Sequence, residues 1–412
     1  MGSDTLTVAL RDRIEAAIRG WDAHEKLAGS GLDIIDFDCL PVATTKSDVP
    51  TYASRLAVLE ELLELRGQAD GYPLLVERLD ADITYLEAVL GRQRPLSEYV
   101  QLTQGCPAAG WPAVAVEQLG ADVRELLAAR GIEWGPNTRE DLKDAEGAIN
   151  PLDAGDAIRS AAAALEPTVR DLAHADAPFE LLIESADINE YWSYWLDGDR
   201  DQIRLRLNQN KFSLTKVQAR QFALHEVLGH GLQYVNIAAA ADPPWVRLFS
   251  VHAPTQVLFE GLAQALPLLV IPDDAEVRNR VALDNYVQHV RAELHIAVND
   301  GASISACISH ARARVPYWSD DEIADDLRDR TRHPLLRSYL WSYPAGLDWF
   351  VRLFADHRVV ALEVLRAAYR SPLTPGQLSD AWPEGPPVGG PGGSIRLREP
   401  AVSVSAPRTS GP

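Results

Sequence analysis

The chain has 412 residues, of which 46% are hydrophobic and 24% charged, and this balance is typical of a globular protein rather than a fibrous or wholly disordered one. Its 39 Lys and Arg residues are outnumbered by 59 Asp and Glu residues, so the formal net charge is −20 at pH 7. Because nucleic acids and anionic membranes are bound by neutralising phosphate with basic side chains, this charge argues against both as partners.

The sequence predicts neither export nor disulfide bonding. Its cysteines, Cys39, Cys106 and Cys307, lie far apart and form no CxxC pair, which argues against a disulfide framework and a thiolate metal site. The first twenty residues contain acids and arginines instead of the apolar stretch of a signal peptide. We therefore expect a cytoplasmic protein in a reducing compartment.

Residues 1–170 follow the spacing of amphipathic helices. Apolar residues recur every three or four positions over 75–90 and again over 116–127. Gly131, shortly after the second run, is typical of a residue that ends a helix. This pattern predicts a helical region that forms one wall of a cleft.

The period of the hydrophobic pattern changes near residue 178. Alternation over 179–184 and 203–208 predicts strands, and Asp197-Gly198, between 191–196 and 202–208, is typical of a hairpin turn. Helical spacing resumes over 255–370. We predict a mainly α protein in which residues 171–372 form an α+β catalytic region with a small antiparallel sheet.

The last residues have a different composition. Between 383 and 393 only Glu384 and Val388 are neither Pro nor Gly. Such a segment has too few apolar side chains to pack a core, which predicts a disordered tail over 373–412.

The clearest chemical pattern is HExxxH over residues 225–230, on a predicted helix that follows a capping box of Thr215 and Gln218. Metallohydrolase helices use two His to hold zinc and a Glu as general base. In a regular helix of ~100° per residue, however, residues five apart point about 140° apart. We therefore predict a π-bulge or local unwinding around 227–229, permitted by Gly229, that turns His225 and His230 to one side.

Glu260 is the predicted third metal ligand. It lies among apolar residues 258–268, where a buried carboxylate is costly unless a cation meets it, and one Zn²⁺ per chain, shared with His225 and His230, would do so. Glu226 is then the general base for the attack of water. Gln264, one turn after Glu260, is predicted to orient a ligand from outside the coordination sphere.

Asp300 is a second candidate for orienting a ligand in this way.

Hydrolysis also needs a donor for the oxyanion, and the aromatic-rich stretch 332–349 offers one. Tyr343 precedes Pro344, which predicts a helix boundary from which its hydroxyl reaches a cleft as the catalytic donor. Arg337 is the candidate for binding a substrate carboxylate, because its planar guanidinium can bond both oxygens. Tyr339 is a further candidate for substrate contact.

The histidines at 252, 289, 295 and 310 lack metal-like spacing and are predicted to be core or surface residues.

The residue pattern leaves alternatives to a zinc hydrolase open. Two His and one carboxylate also suit a mononuclear non-haem iron enzyme that acts on a small metabolite. A non-catalytic metal-binding module, or helix packing without a metal, is a further possibility, although a structural site needs ligands and no base, which is what Glu226 would supply.

These motifs resemble those of the gluzincin metallopeptidases. HEVLGH is similar to the HELLGH variant of the dipeptidyl peptidase III family, whose ligand histidines match His225 and His230 and whose catalytic Glu matches Glu226. The tubulin tyrosine carboxypeptidases likewise pair HExxxH with an EEGLA segment.

A longer resemblance, over about 210–365, is to a bacterial family of metallohydrolases of unknown function. Its motif order is matched by HEVLGHGLQ, then EGLA at 260–263, VNDG at 298–301, RSY at 337–339 and YPAGL at 343–347. The spacing between the two histidines is one residue shorter than in that family.

The resemblance implies zinc-dependent cleavage of a peptide or an amide-containing small molecule. It also implies a gluzincin-like catalytic region in which the substrate backbone lies beside an edge strand. Asn208, at the end of the predicted edge strand, is the substrate-binding residue that this arrangement implies.

Overall fold

The computed structural model describes residues 2–40, 49–188, 193–240, 243–393 and 397. Helices dominate these residues and a small sheet accompanies them, as predicted. The helices of the first half are α1 (Gly2–Ala28), α2 (Arg55–Gln68), α3 (Pro73–Val89), α4 (Leu96–Gln104), α5 (Ala113–Ala128), α6 (Thr138–Glu146) and α7 (Ala154–Ala173). The apolar spacing over 75–90 and 116–127 corresponds to α3 and α5, so both of these predicted helices are confirmed.

The second half begins with a rod made of α8 (Lys216–Phe222), a π-helix (Ala223–Gly231) and α9 (Leu232–Ala238). The helices that follow are α10 (Gln256–Ala265), α11 (Pro267–Val270), α12 (Ala275–Asn299), α13 (Ile304–Arg314), α14 (Asp320–Arg332), α15 (Leu336–Asp356), α16 (Arg358–Ala368) and α17 (Pro375–Ala381).

The sheet has five strands in the spatial order β2-β4-β3-β1-β5. They are β1 (Phe37–Asp38), β2 (Glu180–Ala186), β3 (Tyr194–Asp199), β4 (Gln202–Asn208) and β5 (Leu248–Phe249). The pairs β3–β4 and β1–β5 are antiparallel, but β2–β4 and β1–β3 are parallel. The sheet is therefore mixed, and the prediction of a purely antiparallel sheet is wrong because β1 joins β3 across a long helical connection that can return a strand in parallel.

The hairpin turn lies at residues 200–201, where Arg200 has a φ of +50°, and not at Asp197-Gly198. Gly198 lies inside β3, where a Cβ would be 2.8 Å from Cε2 of Phe37. This glycine therefore permits the close approach of β1. The prediction that Asp197-Gly198 forms the hairpin turn is wrong, because Gly198 is needed for this contact and not for a turn. Residues 191 and 192 of the predicted strand lie outside the described residues.

Buried apolar side chains form two clusters, and these do not divide at residue 170. The smaller cluster joins α1, α2 and α3 with Val246 and Leu248. The larger one joins residues of α4, α5 and α7 with the sheet and the helices of the second half. The predicted helical region is thus shared between two cores, and α7 packs directly on the π-helix.

Helices α10 and α15 cross with their backbones in contact. A Cβ on Gly346 would overlap the Val257 carbonyl oxygen and lie 2.7 Å from Cα of Gly261. A Cβ on Gly261 would in turn overlap the backbone of Gly346. Only glycine at both positions allows this approach, which brings α15 close to Glu260.

Residues 373–393 are packed against the helices, so the prediction of a disordered tail is wrong for them. Helix α17 lies in this stretch, and Leu378 and Val388 are buried. The Gly110 N–H donates to the Gly389 carbonyl, which fastens the glycines to the loop after α4. A Pro/Gly-rich segment can therefore be held by backbone contacts without many apolar side chains. Residues 394–396 and 398–412 lie outside the described residues.

Substitution Gly346→Ala tests the helix crossing. The added methyl group has no space beside Val257, so we expect a loss of about 1–3 kcal/mol in the free energy of unfolding, as for other overpacked sites. The measurement is urea unfolding followed by circular dichroism.

Gly67→Ala is the matched control, because Gly67 lies in α2 and a Cβ there meets nothing within 4 Å. It should leave stability unchanged or raise it slightly, since alanine favours the helix. Equal stability of the two variants would contradict the assigned crossing.

Candidate metal centre

His225, Glu226 and His230 lie on the rod formed by α8, the π-helix and α9. The capping box of Thr215 and Gln218 starts this rod as predicted. The Leu232 N–H donates to the Val227 carbonyl, five residues back, which is the bonding pattern of a π-helix. The predicted distortion is confirmed, and it extends over nine residues, further than the three expected. The wider turn brings the two imidazoles to one side, with ring centroids 4.8 Å apart.

Three donor atoms from two elements converge beside this turn. Nε2 of His225 and Nε2 of His230 are 3.2 Å apart. Oε2 of Glu260, on α10, lies 3.6 Å from the first and 3.7 Å from the second. Within the described ranges these three residues are the only group of His, Cys, Asp and Glu placed to hold a metal ion.

The spacing of the donor atoms fits a tetrahedral ion. Bonds of about 2.1 Å in a tetrahedron place neighbouring donors about 3.4 Å apart, close to the observed distances. Oε2 of Glu260 is buried and has no hydrogen-bond partner among the described residues, although buried polar atoms normally have one. Both observations favour a cation held by the three side chains. A tetrahedron would keep its fourth position for water or substrate.

The protonation of the donors is compatible with metal binding. Burial lowers the pKa of His225 to about 3, so its ring is neutral at pH 7. Burial acts to raise the pKa of Glu260, but the neighbouring His230, His225 and Tyr339 outweigh it and hold that pKa below the usual value. Although burial opposes protonation of His230, the carboxylates of Glu260 and Glu226 raise its pKa. A metal ion would take the place of that proton.

Glu226 lies beside the donor set and not within it. Its Oε1 is 3.4 Å from Nε2 of His225, and the residue is only 4% exposed. Burial raises the pKa of Glu226 to about 7, which suits a group that takes and returns a proton near neutral pH. The hydroxyl of Tyr194, on β3, hydrogen-bonds to this carboxylate.

The two predicted tyrosines reach the centre from α15. The Tyr339 hydroxyl donates to Oε1 of Glu260 over 2.5 Å, and the hydroxyls of Tyr339 and Tyr343 are 2.6 Å apart. Pro344 lies inside α15 and does not end it, so the predicted helix boundary at Tyr343 is wrong. The hydroxyl of Tyr343 nevertheless lies at the centre, because residues 339 and 343 are one turn apart on the same helix face.

His230 and the π-helix are held by close packing. The ring of Tyr234 stacks on His230 with 5.7 Å between centroids. A Cβ on Gly229 would lie 2.8 Å from Cβ of Ala263 and 2.7 Å from the Leu224 carbonyl oxygen. The φ of Gly229 is not positive, so the backbone there does not require glycine. The residue is glycine because the contact with α10 leaves no space for a side chain.

Arg337 hydrogen-bonds to residues outside the donor set, and its role in binding a substrate carboxylate stays a prediction. Its Nε donates to Oδ1 of Asn299 over 2.9 Å, and a second nitrogen donates to the Arg94 carbonyl over 3.0 Å. Its guanidinium also lies over the ring of Tyr99. These contacts direct the guanidinium towards α4 and α12.

The edge-strand position predicted for Asn208 is wrong, whereas the orienting role of Asp300 stays a prediction. Asn208 is buried at the end of β4, an inner strand between β2 and β3, where no substrate strand can be added. Asp300 is exposed at the end of α12. Gln264 is buried one turn after Glu260, and its Nε2 has no partner in the described part of the chain, so its orienting role stays a prediction.

The remaining candidate histidines lie in the core, as predicted, and pair with other side chains. Their partners come from distant parts of the chain, in the pairs His252–Asp82, His289–Asp348, His295–Arg330 and His310–Glu293.

Sequence reasoning missed Tyr194, Tyr234 and Asp36. Burial raises the pKa of Asp36 to about 7, and its charge acts on His230 and Glu260. Asp36 also lines a cavity of about 310 Å³ together with Lys26, Trp195 and Arg206. Asp36 directly precedes β1, which has only two residues and therefore shows no periodicity that could have pointed to it.

Comparison with known proteins adds little. No protein-family model matches the sequence, and no curated protein matches it. A solved structure described as a "putative lipoprotein" from Colwellia psychrerythraea is similar to this chain at a TM-score of 0.48 and 13% identity. The similarity covers 82% of this chain and 64% of that one, so this chain spans less than two thirds of its length. None of the described helices is long and apolar enough to cross a membrane.

Substitution His230→Ala tests the shared donor set. We expect about one zinc ion per chain in the wild type and a large loss of bound zinc in the variant. Catalytic zinc sites have three protein ligands, and the variant would keep only two. The measurement is elemental analysis after dialysis, with exposed His333→Ala as the control. Unchanged zinc content in His230→Ala would remove His230 from the centre.

Substitution Gly229→Ala tests the contact with α10. The methyl group would push α10 and Glu260 away from the histidines, so zinc affinity should fall together with a loss of about 1–3 kcal/mol in stability. Gly231→Ala is the comparison on the same π-helix, because the nearest neighbours of its Cβ would be Ile203 on β4, at 3.1 Å, and the Glu226 carbonyl oxygen, at 3.4 Å, and not α10. Competition with a chelator measures the affinity, and wild-type affinity in Gly229→Ala would contradict the assigned contact.

Proposed function

We propose that the protein is a zinc-dependent hydrolase of the gluzincin type that cleaves a peptide or amide bond. The observation that carries this proposal is the separation of roles around the π-helix. Two imidazoles and the Glu260 carboxylate present converging donor atoms, and Glu226 lies next to them without joining them. This is the arrangement that metal-assisted hydrolysis requires.

A bound zinc ion would supply Lewis-acid activation of water and of the scissile carbonyl. His225, His230 and Glu260 would hold it. Glu226, buried beside the donor atoms, takes the proton of the attacking water and returns it to the leaving nitrogen. When a substrate carbonyl is bound, the Tyr343 hydroxyl, one turn from Tyr339 on α15, would turn its single proton from Tyr339 to the oxyanion that forms on the carbonyl oxygen.

The position of Glu226 favours a hydrolase over the two alternatives. A structural metal module has no need of a buried carboxylate with a raised pKa beside its ligands. An oxygen-activating iron enzyme shares the two His and one carboxylate but does not require a base at this position. Metal analysis of protein purified without added metal, combined with an oxygen-consumption assay, separates these alternatives.

Substitution Glu226→Gln tests the proposed chemistry. The amide cannot accept a proton, so turnover of a peptide and amide panel should fall by about 10²- to 10⁴-fold. Zinc content should stay at the wild-type level, because Glu226 is not a ligand. The readout is product formation by mass spectrometry from the zinc-loaded protein.

Glu60→Gln serves as the matched control, because Glu60 is exposed on α2. This substitution should change neither turnover nor zinc content. Wild-type turnover in Glu226→Gln would show that Glu226 is not the base. Consumption of oxygen by an iron-loaded protein that leaves all amides intact would support the iron enzyme instead.

A further inference from the structure

The hydrogen bonds of Glu260 are unequal at its two oxygens. Oε1 accepts from the Tyr339 hydroxyl over 2.5 Å. Oε2 is buried, has no hydrogen-bond partner among the described residues, and faces the two histidine nitrogens at 3.6 Å and 3.7 Å. The carboxylate is thus fastened at one oxygen and available at the other.

The direction of the hydrogen bonds follows from the number of protons. A tyrosine hydroxyl has one proton, and an ionised carboxylate can only accept. The proton of Tyr339 therefore goes to Glu260. Between Tyr339 and Tyr343, at 2.6 Å, the donor must then be Tyr343. The result is a one-way chain from Tyr343 through Tyr339 to Oε1.

Rigid packing fixes the position of the Tyr339 hydroxyl. Tyr339 lies on α15 and Glu260 on α10, and these helices cross in backbone contact at Gly261 and Gly346. Without this bond the carboxylate could rotate about its last side-chain torsion, which is broad for Glu. Either oxygen could then turn towards the histidines.

We propose that Tyr339 is a positioning residue that acts through Glu260, presenting Oε2 to His225 and His230 and so setting the metal affinity of the centre. This role replaces the contact with substrate that the sequence suggested for Tyr339. The inference rests on the metal centre of the proposed function, but it does not depend on which bond is cleaved or on whether Glu226 acts as a base.

The test compares Tyr339→Phe with Tyr343→Phe in full-length protein. Both variants remove one hydroxyl from the same helix face and keep the ring. Loss of a group that orients a ligand typically weakens metal affinity by about 10- to 100-fold, and we expect this for Tyr339→Phe. Tyr343→Phe should weaken it much less, because the short hydrogen bond to Oε1 comes from Tyr339, whereas the short bond of Tyr343 is to Tyr339. Zinc and cobalt titrations against a competing chelator measure both affinities.

Two further readouts separate positioning from packing. The visible absorption of bound Co²⁺ reports the ligand geometry, and it should change in Tyr339→Phe and stay close to wild type in Tyr343→Phe. Thermal unfolding of the metal-free variants should be similar for the two, because each keeps its ring in place. A larger loss of metal-free stability in Tyr339→Phe, with an unchanged cobalt spectrum, would overturn the positioning role.

The outcomes also distinguish this inference from the proposed function. Wild-type metal affinity in Tyr339→Phe, with zinc still bound in the wild type, overturns the inference alone. Equal losses in both variants overturn the one-way chain. Absence of zinc binding in the wild type overturns both the inference and the proposed function, whereas zinc binding without hydrolysis of any amide overturns only the function.

Discussion

Two imidazoles separated by five residues can face one point only where the helix between them is underwound. His225 and His230 meet this condition because Ala223–Gly231 forms a π-helix, in which hydrogen bonds span five residues. A π-helix is rarely stable by itself, so the neighbouring elements must hold it. Helix α8, with its capping box, starts the rod, and α7 and α10 pack against its underwound part.

The position of the third donor, Glu260, depends on two places where helices approach closely because one or both of the residues in contact are glycine. Gly229 lets the π-helix contact Ala263 on α10, which sets the distance from the histidines to Glu260. Gly261 and Gly346 let α15 cross α10, which brings Tyr339 to Oε1 of Glu260. The glycines of the sequence motifs thus act by determining distances between helices. A methyl group at any of them would move a donor atom by a distance comparable to the tolerance of a metal site.

The sequence predicted the parts that depend on local pattern. The helical periodicity, the capping box of Thr215 and the need for a distorted helix all follow from residues close together in the chain. Glu260 lies on another helix, and it was predicted from the cost of burying a carboxylate among apolar residues. The features that were not predicted depend on distant partners. Arg337 bonds Asn299 and the Arg94 carbonyl, and Asn208 lies on an inner strand because β2 pairs in parallel with β4. Neither partner can be read from the neighbouring residues.

The balance of buried charge sets the candidate centre apart from the rest of the protein. Elsewhere among the described residues, buried carboxylates pair with an arginine or a lysine, as Glu25 does with Arg55, Glu146 with Arg280 and Asp22 with Lys26. Among the described residues, the ion pairs of Glu226 and Glu260 are with imidazoles alone.

Asp36 lies close enough to His230 and Glu260 for their charges to interact with its own, whereas His225 is neutral at pH 7. At pH 7 Glu260 is ionised, and Glu226 and Asp36, whose pKa values are raised to about 7, are each partly ionised, so their summed negative charge exceeds the charge of one protonated imidazole. A divalent cation held by the converging donors would supply the missing positive charge, because no Lys or Arg among the described residues forms an ion pair with Glu226 or Glu260.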